Sequence, residues 1–592
     1  MTIQTSPSDA TGVITTPRGV KTRGASSAQA QPRKVAGIVA LYGVLGILIL
    51  LPVALVVLSA LTSETPRPGN ISLSNFTLSN FSTVFGTGAM RAAGNSLIVG
   101  IGGSAVALLC GGFLAFVTAR TNAPARKFLY FAGLMPMFLP SFVGALAWGL
   151  LGGPNAGLLN ILARDLGLAP FMNIYTLPGL IVLLGIYYAP YAFLLIHASF
   201  SLMNPDLEES ARVHGATPGQ VLRRVTFPLA TPAILGAAIL IFTLTVENFP
   251  VAQMIGSAGG LDTLPTYIFR LMNSAPSRGN EAAAVAIALV AVVLIVTAIQ
   301  RRVISKRTFT TVSGKGLKPA KVDLGWFRIP ALILGALYFV VTAVLPIGAL
   351  IFVAMHDSPY VASVVGSIQA GNLNFNAFAD VLTNSTVHKA TTNSLVVSIS
   401  AAVIGTVLAF IVSYVVNRTR IPGRAGLGYI SMIPLAVPAI VLGLGLLWTW
   451  LLIPLPVYGT LVVMVIAFTA AQMPQGFQGA SAGILQIHQD LEDSAVMHGA
   501  NRVRAIWRVT VPLLRVPLTS TFLLLLMLSM RELTVPLFLF TTDTRLLSIV
   551  IFDNYENGIL QSSAATSVLY CVLIFLLAWL ARRFGEERQR TS

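Results

Sequence analysis

Two stretches of this sequence repeat one pattern of residue types at one spacing. The first reads Glu209-Ser210-Ala211, three residues, Gly215, nine residues, then Val225-Thr226-Phe227-Pro228. The second reads Asp493-Ser494-Ala495, three residues, Gly499, nine residues, then Val509-Thr510-Val511-Pro512. The pattern suits recognition rather than bond making. Asn204 is an N-cap with Pro205 at the first helical position, and Asp206, Glu208 and Glu209 favour the first turn. Gly215 supplies the left-handed conformation that ends such a short helix. Thr217-Pro218 then opens a second helix, as Asn501 does in the other copy. Leu207, Ala211, Val221, Leu222 and Val225 give the segment apolar residues. The pattern reads either as a knob made to be touched by a partner or as an amphipathic loop packed on its own bundle.

A second set is Glu247, Arg531 and Glu532, charges inside otherwise apolar runs, with Pro250 and Pro536 close behind. With a one-residue slip, Glu247 and Glu532 are counterparts. Two such acids suit a cation path or gate. The alternative is structural: Glu532 pairs with Arg531 or another polar group, and Glu247 with Asn248 or backbone. His214 and His498 sit on the repeated loops and suit packing or hydrogen bonding there. The sequence has no G-x-x-x-x-G-K-[ST] phosphate loop, and Gly314-Lys315 lacks the spacing. No nucleophilic triad or metal-ligand spacing is present, so neither catalytic nor metal residues are assigned. Cys110 and Cys571 fall in apolar runs and read as small helical residues, not a disulfide.

The elements that carry these residues are membrane spans. Of 592 residues 55% are hydrophobic and only 10% charged, against about 25% charged in a soluble domain. Runs of about 20 apolar residues, enough to cross ~30 Å of hydrocarbon, alternate with short polar stretches. Helices are expected, since each satisfies its own backbone in lipid. The expected spans are 36–61, 93–118, 128–151, 176–203, 230–255, 282–300, 330–354, 393–416, 427–453, 458–482, 514–540 and 564–581. The first is too long for a signal peptide's apolar region and is expected to be retained. The net charge of +17 matters through its placement. Arg120, Arg126, Lys127, Arg223, Arg224, Arg301, Arg302, Arg418, Arg424, Arg504, Arg508, Arg582 and Arg583 all fall on one side, which the positive-inside rule makes cytoplasmic. A nucleic-acid partner is not expected. The fold class is an all-α integral membrane protein with about twelve spans, in the cell membrane, both termini cytoplasmic.

The chain is also an internal repeat. Asn95-Ser96-Leu97 recurs as Asn393-Ser394-Leu395, and Arg120-Thr121 as Arg418-Thr419. Pro136 and Pro140 recur as Pro434 and Pro438, prolines expected to bend their helices. Further on, at an offset of 284, His214-Gly215-Ala216 recurs as His498-Gly499-Ala500. The length difference falls in the loop after the third span, long at 152–174 and short around 454–457. The expected organisation is a disordered tail 1–35, a first six-span half 36–300, a linker 301–329, a second half 330–583 and a tail 584–592. Six spans per half give both the same orientation, with a pathway between them.

The two repeated loops resemble the EAA loop of importer-type ATP-binding-cassette permeases, E-A-A-x3-G-x9-I-x-L-P. Ser210 and Ser494 replace its second residue, and Asp493 its first. The resemblance covers nearly the whole chain from about residue 36, and is closest to fused permeases of the ferric-iron group, whose relatives import thiamine, polyamines, sulfate or aminoethylphosphonate. It implies that Glu209, Ser210, Ala211, Gly215, Pro228, Asp493, Ser494, Ala495, Gly499 and Pro512 dock a homodimeric ATPase. That ATPase would hold ATP and Mg, leaving this chain without a cofactor. It also implies an extracytoplasmic binding protein that delivers cargo, with ferric iron the first expectation, and surrounding lipid. The competing class is a secondary transporter of six plus six spans, driven by an ion gradient through the membrane acids.

Overall fold

The computed structural model describes residues 30–65, 75–204, 206–305, 322–356, 358 and 360–590. Most of the expected tail and linker, and Pro205, lie outside them. The first half runs α1 (Ala36–Ala60), α2 (Thr87–Arg120), α3 (Arg126–Phe138), α4 (Ser141–Gly152), α5 (Leu177–Ser201), α6 (Asp206–Val213), α7 (Pro218–Val246), α8 (Leu264–Met272) and α9 (Gly279–Ile299). The second half runs α10 (Gly325–Met355), α11 (Ser385–Arg418), α12 (Arg424–Leu435), α13 (Ala439–Leu452), α14 (Leu461–Ala471), α15 (Met473–Gln486), α16 (Asp490–Met497), α17 (Arg502–Leu513), α18 (Arg515–Met530), α19 (Leu547–Glu556) and α20 (Leu560–Leu580).

Among the described residues, eight helices are long and apolar enough to cross a membrane singly, and four bent pairs bring the total to twelve. The expected span 128–151 is therefore not one rod: α3 and α4 meet at 97°, and α12 and α13, over 427–453, at 112°. Pro136 and Pro140, with Pro434 and Pro438, account for both breaks. A proline has no N–H to donate, and its ring displaces the carbonyl one turn back. The span at 458–482 bends by 56°, and a 72° bend at Leu514 separates α17 from α18 at the start of the expected span 514–540. The expected span 230–255 stops at Val246, and 514–540 at Met530. Glu247, Arg531 and Glu532 thus lie at helix ends, not inside helices.

Each half's first span packs on the other half's broken span: α1 on α13, and α10 on α4. A Cβ at Gly445 of α13 would lie 2.4 Å from the Pro52 carbonyl oxygen. Glycine there lets the two backbones touch, which is how helices associate where lipid offers no hydrophobic drive. Asn280 of α9 fastens α1 through Nδ2 to the carbonyls of Ser59 (2.8 Å) and Thr62 (2.7 Å). The loop 152–174 holds a short helix, Leu158–Asp165. Asp165 Oδ2 accepts from the N–H groups of Val364 (2.7 Å) and Val365 (3.0 Å) in the second half. The main core draws on both halves, with Leu55, Phe142, Leu446 and Tyr570 in one cluster. The halves form one body with a seam between them.

Candidate functional site

The repeated loops fold alike. Asn204 Oδ1 accepts from the Asp206 N–H at 3.0 Å, at the start of α6. The helix ends with the Ala216 N–H on the Ala211 carbonyl (3.0 Å) and the Gly215 N–H on the Arg212 carbonyl (2.9 Å). The second copy repeats this with Ala500 on Ala495 (3.1 Å) and Gly499 on Val496 (3.0 Å). This double bond pattern needs a left-handed residue, and Gly215 and Gly499 supply it at φ +83° and +93°. A Cβ at either would meet nothing within 4 Å, so the backbone angle alone asks for glycine. Thr217 then caps the next helix, with Gln220 returning to the Thr217 N–H at 3.0 Å, and Asn501 caps its copy through the Arg504 N–H at 2.7 Å. His214 and His498 each donate Nδ1–H to the carbonyl four residues back, of Ser210 (2.7 Å) and Ser494 (2.8 Å). They serve the loop's own geometry.

Glu209 and Ser210 are exposed on α6, as is Ser494 on α16. Asp493 is half-buried and paired with Arg502 at 2.6 Å. Arg502's counterpart is Pro218, so the two acids are held differently. Sequence reasoning missed the tips. Val213 is 85% exposed and its counterpart Met497 is 87% exposed. The same apolar exposure recurs at the same place on both loops. The signal was present: an apolar residue two positions before the glycine in each copy. Pro228 lies within α7, and Pro512 lies at the end of α17, just ahead of the bend into α18.

The seam changes the reading of the acids. α7 ends on Glu247 and α18 on Arg531. Just beyond, Asn248 Oδ1 accepts from the Val251 N–H at 3.0 Å. Glu532 Oε1 accepts from the N–H groups of Thr534 (2.9 Å) and Val535 (3.1 Å). Val251 and Val535 are counterparts at the offset of 284. So Asn248 corresponds to Glu532 and Glu247 to Arg531, and the one-residue slip is removed. Where a helix stops, backbone donators ahead of it need an acceptor, and an amide or a carboxylate oxygen serves equally. Glu247 has no such task. Its Oε1 has no hydrogen-bond partner among the described residues. Neither Glu247 nor Glu532 joins an ion pair among those residues.

At the end of the bundle opposite the loops, Tyr555 closes the seam by donating Oη–H to the Met254 carbonyl of the other half at 2.9 Å. It stands between two cavities walled by both halves. One, of about 350 Å³, is lined by Gln253, Met254, Ser257, Ala258, Tyr555 and Glu556. The other, of about 380 Å³, reaches Tyr175, Val353 and Tyr360. Among the described residues no three His, Cys, Asp or Glu side chains gather as a metal site.

The family described as binding-protein-dependent transport system inner membrane component matches residues 107–310 and 401–588, once in each half. A ferric transport system permease protein of Actinobacillus pleuropneumoniae is 22% identical over 77% of this chain and 65% of its own length. A trehalose transport system permease protein of Mycobacterium tuberculosis is 30% identical over 43% of this chain and 89% of its own. A chain of a bacterial ABC transporter involved in the import of alginate is similar over 48% of this chain and 98% of its own, at 22% identity and a TM-score of 0.38.

Proposed function

The chain belongs to the family of binding-protein-dependent transport system inner membrane components, and we propose that it is the fused permease of an ATP-driven importer of ferric iron. The observation that carries this is the matched pair of loops, each offering an open apolar tip, Val213 or Met497, at the far end of a short helix whose first turn is acidic. A homodimeric ATPase has two equal grooves, and two knobs of like backbone geometry fit them. The ATPase subunits hold ATP and Mg, and their closure draws the loops together. Rigid helices carry that movement to the seam, which opens to alternate sides. The loop end is cytoplasmic, as are both termini, and the Tyr555 end faces a binding protein that delivers the cargo.

Iron is favoured by coverage. The ferric relative is matched over 77% of this chain, too much for one half, whereas the trehalose relative is matched over 43%. Oxygen atoms from Glu247, Tyr188, Ser257, Tyr555 and Glu556 along the seam suit a hard cation. Glu247 is the path or gate residue, and Glu532 holds the turn that follows α18. The test is purification of the tagged permease from its native membrane, followed by uptake of radiolabelled iron by proteoliposomes containing the complex and its binding protein. Co-purification of an ATPase and uptake of iron but not of labelled thiamine or spermidine is expected. Uptake of one of those instead would replace the cargo, and absence of any ATPase would remove the importer reading.

A further inference from the structure

The acid next to Glu209 faces the other way. Glu208 is 1% exposed, and its carboxylate forms an ion pair with Arg120, itself 0% exposed, at the last residue of α2. Glu208 Oε1 also accepts from Thr226 Oγ1 at 2.6 Å. One carboxylate thus ties together the loop helix α6, the inner end of span α2 and the third turn of α7, where Thr226 lies. Its counterpart Glu492 is 1% exposed and ties the same three places in the second half. Thr510 Oγ1 donates to Glu492 Oε1 at 2.5 Å, as Thr226 does to Glu208. The third tie differs. Tyr414 Oη donates to Glu492 Oε2 at 2.7 Å, and Arg418, the counterpart of Arg120, turns instead to the carbonyls of Ile484 (2.8 Å) and Ile487. Tyr414's counterpart is Phe116, which packs against Phe200 and Phe227 and has no hydroxyl to offer.

We propose that Glu208 and Glu492 are positioning residues that carry movement of the loops into the spans, the first through a charge pair and the second through neutral hydroxyl donors. A buried carboxylate shared among three segments makes them move as one, because separating it from its donors would leave a desolvated charge. The two halves therefore differ in what their couplings need. Gln in place of Glu492 still accepts from Tyr414 and Thr510. Gln in place of Glu208 leaves the Arg120 guanidinium buried without a counter-charge.

This rests on the importer reading, so the wild-type complex is the control. With Cys110 and Cys571 replaced by Ala, Ala258→Cys in the seam cavity is labelled with a maleimide, with and without ATP and vanadate. Wild type must co-purify with its ATPase and change its labelling rate on trapping; failure there removes the importer reading and not this proposal alone. In Glu208→Gln we expect the ATPase still bound and hydrolysing, with the trapping-dependent change in labelling reduced about tenfold or more. In Glu492→Gln the change should stay within about twofold of wild type, since its hydroxyl partners keep an acceptor. Adding a tyrosine donor by Phe116→Tyr to Arg120→Gln should restore the change that Arg120→Gln alone loses, which a folding defect would not predict. Equal effects of the two Glu→Gln variants, or full retention in Glu208→Gln, would overturn the proposal. So would failure of the Phe116→Tyr rescue in a complex that still binds its ATPase.

Discussion

Glu247 and Arg531 occupy the same place in the two halves: each is the residue on which the span before the seam ends. A repeat that began as one sequence now carries opposite charges there. The residues beside them, Asn248 and Glu532, kept one task, accepting backbone N–H groups one turn on. Charge at the seam is therefore free to differ between halves at the first position and constrained by hydrogen bonding at the second.

That division predicts different behaviour for the two acids. Glu532→Leu removes the acceptor for Thr534 and Val535 and should cost about 1–3 kcal/mol, read as a lower unfolding temperature in detergent. Glu532→Gln keeps an acceptor and should unfold near wild type. Glu247→Gln should leave the unfolding temperature unchanged and lower transport in proteoliposomes. Normal transport by Glu247→Gln would return that residue to a structural role.

The glycines of the loops make a sharper test than bulk alone. Space around both is open, so Gly215→Ala or Gly499→Ala should pay only for the left-handed backbone, roughly 1–2 kcal/mol. Gly→Asn should pay less, since Asn tolerates that conformation. Membrane insertion should survive in all four variants, while ATPase binding falls for Ala more than for Asn. Identical binding by the Ala variants would show that the turn does not position the knob.

Much of this was legible because it is local. The caps at Thr217 and Asn501, the turns at Gly215 and Gly499 and the breaks at Pro136, Pro140, Pro434 and Pro438 depend on residues within one or two turns, and were expected at those positions. What was not legible depends on distant parts of the chain. Glu208 and Glu209 are adjacent acids, and nothing local says which one turns inward; the answer is Arg120, on another span. Proline also reads differently by context. Pro190 lies inside the continuous helix α5, while its counterpart Pro474 starts α15 at a bend.

Orientation can be checked by labelling. With Cys110 and Cys571 replaced, a cysteine at Arg212 should react with an impermeant maleimide only from the cytoplasmic side. One at Ser277, exposed at the other end, should react only from outside. The reverse pattern would invert the topology and remove the ATPase from the loops.

The contact between Asp165 and the second half should be pH-dependent. The N–H groups of Val365 and Val364, with Ser363 and Arg164, hold the Asp165 carboxyl below its ordinary value. A depressed value means stabilisation that is present above the unfolded pKa, about 3.9, and lost as pH falls through the folded one. Hydrogen exchange at Val364 and Val365, taken relative to the intrinsic rate at each pH, should accelerate in acid in the wild type. In Asp165→Ala it should already be fast at neutral pH. Slow exchange in the variant would show that another group caps these amides.

The central claim is that ATP hydrolysed by a partner, acting through the two loops, moves cargo through this chain. The most direct measurement is uptake of radiolabelled iron into proteoliposomes holding the purified permease, its ATPase and its binding protein, with ATP supplied inside or withheld. The account predicts uptake only with ATP, unchanged by ionophores that collapse ion gradients. Uptake driven by an imposed ion gradient without ATP would contradict it and make the chain a secondary carrier.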